Sequence, residues 1–112
     1  MKDPLLCIVQ IHESLKKIQT YTQNGREAFM SDPKTQDAVV RNFEIIGEAT
    51  KRLPSEFTKL YPQIPWRRMA GFRDILIHAY DRVNLDEIWN TIEQHLPRLI
   101  SELERIRRRI EQ

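Results

Sequence analysis

An all-α fold, an up-down bundle of four main helices that pairs with a second copy of itself, is what this sequence predicts. Three observations carry the prediction. No segment alternates apolar and polar residues with the period of a strand. Apolar residues instead recur every three or four positions over most of the 112 residues. Between those stretches stand helix starts and stops, with no repeat, linker or low-complexity segment among them.

The elements follow in order. Asp3-Pro4 is an N-cap followed by a proline at the first helical position, and Asn24-Gly25 is a stop. Between them Leu5, Ile8, His12, Leu15 and Ile18 recur at helical spacing. A second helix starts at Asp32-Pro33 and runs to just before Pro54, with Val39, Phe43, Ile46 and Leu53 as its apolar face and Gly47 allowing a close crossing. Ser55 is placed to cap a short turn or helix ending near Pro62. Pro65 opens a third main helix, PWRRMAGFRDILIHAY. The fourth starts near Asn84 and carries Leu85, Ile88, Trp89, Ile92, Leu96, Leu99, Leu103, Ile106 and Ile110. Pro97 falls inside that pattern and is expected to kink the helix, since it removes a backbone donor and crowds the preceding turn.

Bulk composition narrows the function. The length suits one domain, residues 1–112, that buries roughly 65% of its unfolded surface, a margin small helical domains often extend by dimerising. A net charge of +2 excludes a nucleic-acid polycation. Residues 98–112 nonetheless set Arg98, Arg105, Arg107, Arg108 and Arg109 against Glu102, Glu104 and Glu111, a local excess equal to that of the whole chain. Cys7 is the only cysteine, so no disulfide framework is possible and a reducing cytoplasm is expected. The acid, proline and histidine in the first twelve residues do not suit a signal peptide, and no apolar run approaches the roughly 18 residues of a membrane span.

Residues 73–80, RDILIHAY, hold the chemistry. At 100° per residue, Phe72, Ile75, Leu76 and Ala79 share an apolar side, and Asp74, His78 and Asp81 share another. Tyr80 lies about 20° from the row of Arg73 and about 10 Å along the axis. Asp74 stands one turn before His78, where it can accept a hydrogen bond from one ring nitrogen, favour the charged ring and leave the other nitrogen for proton transfer. Arg73 offers a planar, permanently charged fork suited to a phosphate. Arg73 and His78 are about 140° apart around the helix, so they converge on one group only if two copies of the helix pack across a two-fold axis. The competing reading makes His78 a partly buried histidine held by Asp74, and Tyr80 an interface aromatic.

The stretch resembles the R-x4-H-x-Y motif of HepT-like toxins, a branch of the HEPN superfamily. RNFEIIGEATKRLP is similar to that family's second-helix signature, and IPWRRMAGFRDILIHAYDRVNLDEIW to its motif region, so the likeness covers about residues 3–105. Asp74 departs from the asparagine of many relatives, and its charge favours a raised histidine pKa. The resemblance implies a homodimer of four-helix bundles with a composite cleft, and a metal-independent endoribonuclease in which Arg73 steadies phosphorane charge and His78 moves the proton. It also implies a type VII-like toxin–antitoxin system. The partner would be an MntA-like minimal nucleotidyltransferase that transfers AMP from ATP onto Tyr80, leaving this chain with no cofactor of its own and RNA as its substrate. Two alternatives stay open: a non-catalytic helical subunit of a nucleotidyltransferase, and a plain dimeric interaction module.

Other residues read as structure. His12 and His95 stand alone, without metal-ligand spacing. Trp66 and Trp89 suit core or interface anchors. Arg67 and Arg68 either widen a basic approach to the cleft or form a solvated face. The run RIRRR at 105–109 offsets a helix dipole, or holds RNA backbone or an acidic partner. Glu44 and Glu48 either line the cleft or pair with Arg41 and Arg52.

Overall fold

In the computed structural model, which describes residues 3–78 and 84–112 and only the backbone of 75–78, helix α1 (Pro4–Tyr21) starts where its cap is written. The Asp3 carboxylate accepts from the Leu5 N–H at 2.9 Å, and Pro4 needs no partner at the first position. The helix ends earlier than Asn24-Gly25 would have it. Thr22 closes it, its hydroxyl donating back to the Ile18 carbonyl at 2.8 Å.

Gly25, at φ 94°, then opens a short helix α2 (Arg26–Ser31) that the sequence reading left out. Six residues are too few to show a period. What holds them is Phe29, the one buried residue of α2, with its ring 5.6 Å from that of Trp89, together with the ion pair of Arg26 with Asp86. Helix α3 (Pro33–Lys51) starts as expected, with the Asp32 carboxylate accepting from the Lys34 N–H at 3.1 Å and the Thr35 hydroxyl at 2.7 Å. In α4 (Ser55–Thr58) the expected cap is corrected: Pro54 holds that position in an extended conformation, and Ser55 is the first helical residue. The Trp66 indole N–H then reaches back to the carbonyls of Thr58 and Tyr61 at 3.1 and 3.0 Å, tying this connection to α5 (Trp66–His78). Asn84 caps α6 (Leu85–Glu111) by accepting from the Asp86 and Glu87 N–H groups, and α6 continues through the exposed Pro97 as one helix.

Among the described residues every regular element is helical. Helix α1 packs against α3 on one side and α6 on the other, and α5 packs on α3. Ile8, Ile11, Leu15 and Ile18 of α1 meet Val39, Phe43 and Ile46 of α3 and Ile88, Ile92, Leu103 and Ile106 of α6, all buried. Each such side chain contributes about 1.5–3 kcal/mol when removed from water, which is how amphipathic helices of modest intrinsic propensity are held. Between α5 and α6 the core is open. A groove of about 530 Å³ runs there, floored by Leu15, Phe43 and Ile46, walled by Met69 and Phe72 of α5 and Leu99 of α6. No described helix is long and apolar enough to cross a membrane.

Candidate active site

Arg73 is positioned by a glycine. Where α5 crosses α3, a Cβ on Gly47 would run into the Cβ of Arg73 and lie 3.1 Å from the Met69 carbonyl oxygen. The missing side chain at 47 is therefore what lets the two helices approach, and the approach buries the stem of Arg73. Only 27% of that side chain is exposed, and its Nε is buried with no partner among the described residues. Phe72, the preceding residue, is fixed edge-on against Phe43 with ring centroids 5.0 Å apart. The base of Arg73 is thus held on two sides, and its fork is the part left to act.

Asp74 sits beside it. Its carboxylate lies 3.5 Å from Arg73 Nη1 but makes the closer ion pair, at 2.5 Å, with Lys51 of α3. Arg73, Lys51 and Asp74 sum to one net positive charge, so the carboxylate does not cancel the guanidinium. Lys51 was not among the residues singled out from sequence. Its signal was present: it follows Gly47 by four residues and so lies on the same face of α3, directly after the crossing point.

The remaining motif residues are placed less fully. His78 ends α5, and its side chain, with the expected bond from Asp74, lies outside the described residues. Tyr80 lies outside them altogether.

The other candidates resolve into packing and surface pairs. Glu44 pairs with Arg41 on its own helix and Glu48 with Arg52 at that helix's end, at 3.9 and 2.7 Å. Trp89 is a core anchor against Phe29. Arg67 and Arg68 are exposed, and Arg68 and His95 line the α5–α6 groove. His12 is buried elsewhere, between α1 and α6, with Nδ1 3.2 Å from Arg107 Nη1. Burial, then the charges of Arg107 and Lys16, hold its pKa below the ordinary value. Among the described residues no group of three or more His, Cys, Asp or Glu side chains is gathered for a metal ion.

An arginine held by its stem beside a charge-compensated carboxylate can stabilise a phosphate or a phosphorane, and proton transfer needs a second group such as a histidine. Comparison with known proteins points the same way. Residues 11–106 match the family model described as Ribonuclease HepT-like. The "Probable ribonuclease HepT" of Thermococcus cleftensis is 44% identical over 99 residues, covering 88% of this chain and 90% of that one. "Putative RNase MJ0127" of Methanocaldococcus jannaschii is 42% identical over 111 residues, covering 98% and 92%. No solved structure matches the chain.

Proposed function

The chain belongs to the HepT-like ribonuclease family, and on that premise we propose that it is a metal-independent endoribonuclease, the toxin of a toxin–antitoxin pair, acting through Arg73 and His78. The observation that carries the reading is Arg73 itself. Its stem is anchored at the Gly47 crossing and its neighbouring carboxylate is engaged by Lys51. A donor fixed before the reaction costs no reorganisation when charge develops on the phosphate.

In this reading the 2′-hydroxyl of the RNA attacks the adjacent phosphorus and the bond to the 5′-oxygen of the next nucleotide breaks. His78 takes the proton of the hydroxyl or returns one to the leaving oxygen. Arg73 holds the equatorial oxygens as negative charge builds on them. Asp74 supports the site through Arg73 and the start of the His78 turn. The α1, α3, α5 and α6 helices form a four-helix bundle, and two bundles pair through α5 so that Arg73 of one protomer faces His78 of its partner.

Tyr80 is the switch. An AMP unit transferred from ATP by a neighbouring minimal nucleotidyltransferase, the tyrosine oxygen losing its proton and bonding the α-phosphorus as pyrophosphate leaves, carries an anionic phosphodiester into a site built to hold one, and charge-assisted bonds to Arg73 then exclude the RNA phosphate. The test is cleavage of RNA by the purified chain, with Arg73→Ala and His78→Ala each expected to cost about 10²–10⁴-fold at unchanged helicity. If both variants cut as the wild type does, the assignment fails. Intact mass after co-expression with the nucleotidyltransferase should rise by whole AMP units and stay unchanged in Tyr80→Phe. A neutralised toxin of unaltered mass would remove the modification from the scheme.

A further inference from the structure

The basic residues of this chain are mixed in its first half, where Arg26, Arg41 and Arg52 stand among the lysines, and of one type after it. All six lysines fall in residues 1–59, whereas the nine basic residues from 60 onward are all arginine. Lysine and arginine are equivalent as helix formers and as solvated charge. They differ in that only arginine presents a planar fork matching two oxygens of a phosphate. The division therefore sets the chemistry of α5 and α6 apart from that of α1 and α3.

On α6 the arginines are arranged in line. Positions 87, 91, 94, 98, 101, 105, 108 and 112 succeed each other by alternating steps of four and three, which is one continuous stripe of a helix. Its first part, Glu87 and Thr91, lines the α5–α6 groove. Its later part is Arg98, Ser101, Arg105, Arg108 and Gln112, all exposed. The last four of these, with Glu104 and Arg109, line an open polar hollow of about 570 Å³.

These arginines are only lightly engaged. Arg105 is 76% exposed and 3.8 Å from Glu102, and Arg108 is 75% exposed and 3.2 Å from Glu104. Among the described residues no ion pair engages Arg98 or Arg109. Arg107 behaves differently. It turns to α1, where Glu13 at 3.0 Å and His12 hold it, with Glu111 at 3.0 Å from its own helix. One arginine of the run therefore docks α6, and the others face solvent.

We propose that the arginine stripe of α6, through Arg105 and Arg108 and with Arg109 beside them in the hollow, is a second contact surface for the phosphate backbone of the RNA substrate, apart from the cleavage site. The inference rests on the ribonuclease reading. A ridge from Arg98 to Arg108 is about 15 Å long, which suits an extended polyanion better than a compact acidic patch on a protein. It prolongs a wall of the groove, so a strand lying on it is led toward the open side of the fold. The contacts read backbone alone, positioning the strand without selecting its sequence.

The test is binding of a short labelled single-stranded RNA to the full-length chain in a His78→Ala background, titrated between about 50 and 200 mM salt. Arg105→Gln/Arg108→Gln/Arg109→Gln retains residues of good helix propensity and removes three charges. If all three contact phosphates, the slope of log affinity against log salt becomes shallower by about two units. Lys16→Gln/Lys17→Gln/Lys34→Gln removes the same charge from α1 and α3 and should leave the slope as it was. An unchanged slope in the arginine variant overturns the proposal, and so does an equal loss in both variants, which makes the effect one of net charge. An arginine variant that binds RNA normally but no longer assembles with the nucleotidyltransferase assigns the surface to a protein instead. Should the chain with His78 intact cut RNA while the slope stays unchanged, only this surface is lost. A chain that neither cuts nor binds RNA takes the ribonuclease reading down as well.

Discussion

Gly47 and Arg73 meet where α3 and α5 approach closest, and the space a side chain at 47 would need is already filled by the Cβ of Arg73. An alanine in a helix interior is ordinarily favoured over glycine by about 1 kcal/mol. Here the clash is with a Cβ on a neighbouring backbone, which cannot swing aside. Gly47→Ala is therefore expected to destabilise by about 1–3 kcal/mol, as overpacking does, and to lower RNA cleavage by displacing Arg73. Gly71 supplies the contrast, since a Cβ there meets nothing within 4 Å among the described residues. Gly71→Ala should be neutral or stabilising by about 0.5–1 kcal/mol. Urea unfolding of both variants reads the difference, and equal behaviour would contradict the crossing.

Lys51 tests whether the charge balance at the site matters. With Lys51→Met the long apolar stem stays and the ammonium goes, which removes the nearer of the two cations beside Asp74 and strengthens its pull on Arg73, 3.5 Å away. The pair is nearly half exposed, so stability should change by no more than about 1 kcal/mol. Cleavage should fall several-fold through weaker phosphate binding, seen as a raised KM, and Lys51→Arg should restore it. A variant with unchanged kinetics would make the Lys51–Asp74 pair a surface feature only.

His12 sets a pH dependence unconnected with cleavage. Its ring is 4% exposed, Nδ1 accepts from Arg107, and Nε2 is buried without a partner. Burial, then the nearby charges of Arg107 and Lys16, push its pKa below 6.5, against weaker opposing pulls from Glu104 and Glu13. In the unfolded chain the ring takes up a proton at its ordinary value, so below that pH the unfolded state binds more protons than the folded one. Stability is then complete above about pH 6.5 and declines as the pH falls through the unfolded value toward the folded one. The urea midpoint should be lower near pH 5.5 than near pH 7.5, and His12→Gln should flatten that step. The depressed carboxyls of Glu13 and Asp32 lose their contributions only in the more acid carboxylate range, which keeps the two windows apart.

What the sequence disclosed, and what it did not, follows from the range of the interactions. The starts at Asp3-Pro4, Asp32-Pro33 and Asn84 were legible because a cap is made by residues two or three apart. Helix α2 was not, because Phe29 rests on Trp89 and Arg26 pairs with Asp86, each sixty residues away. The site divides in the same way. The spacing of Arg73 and His78 on one helix could be read directly, and Gly47 could be read as a close crossing. That the crossing faces Arg73, and that Lys51 takes Asp74 from the other side, depends on how α5 lies over α3. Reasoning along a single helix set Asp74 one turn before His78, and it had no means of seeing that a lysine 23 residues earlier also reaches Asp74 from α3.

The proposed composite site makes a prediction that a site within one chain cannot. Arg73 and His78 lie about 140° apart on one helix, so each catalytic centre is taken to draw its arginine from one protomer and its histidine from the other. Arg73→Ala and His78→Ala homodimers should then both be inactive, since every centre lacks one member. In a mixed dimer one centre lacks both groups, but the other has its arginine from the His78→Ala chain and its histidine from the Arg73→Ala chain. With equal amounts and free exchange, half the dimers are mixed and half their centres are whole, so about a quarter of wild-type activity should return. Cleavage by each variant alone, and by the mixture after dissociation and reassociation, measures this directly. A mixture as inactive as its components, with mixed dimers verified by mass, would mean that both groups act within one chain. The α5 helix would then have to bend or unwind after Arg73 to bring them together.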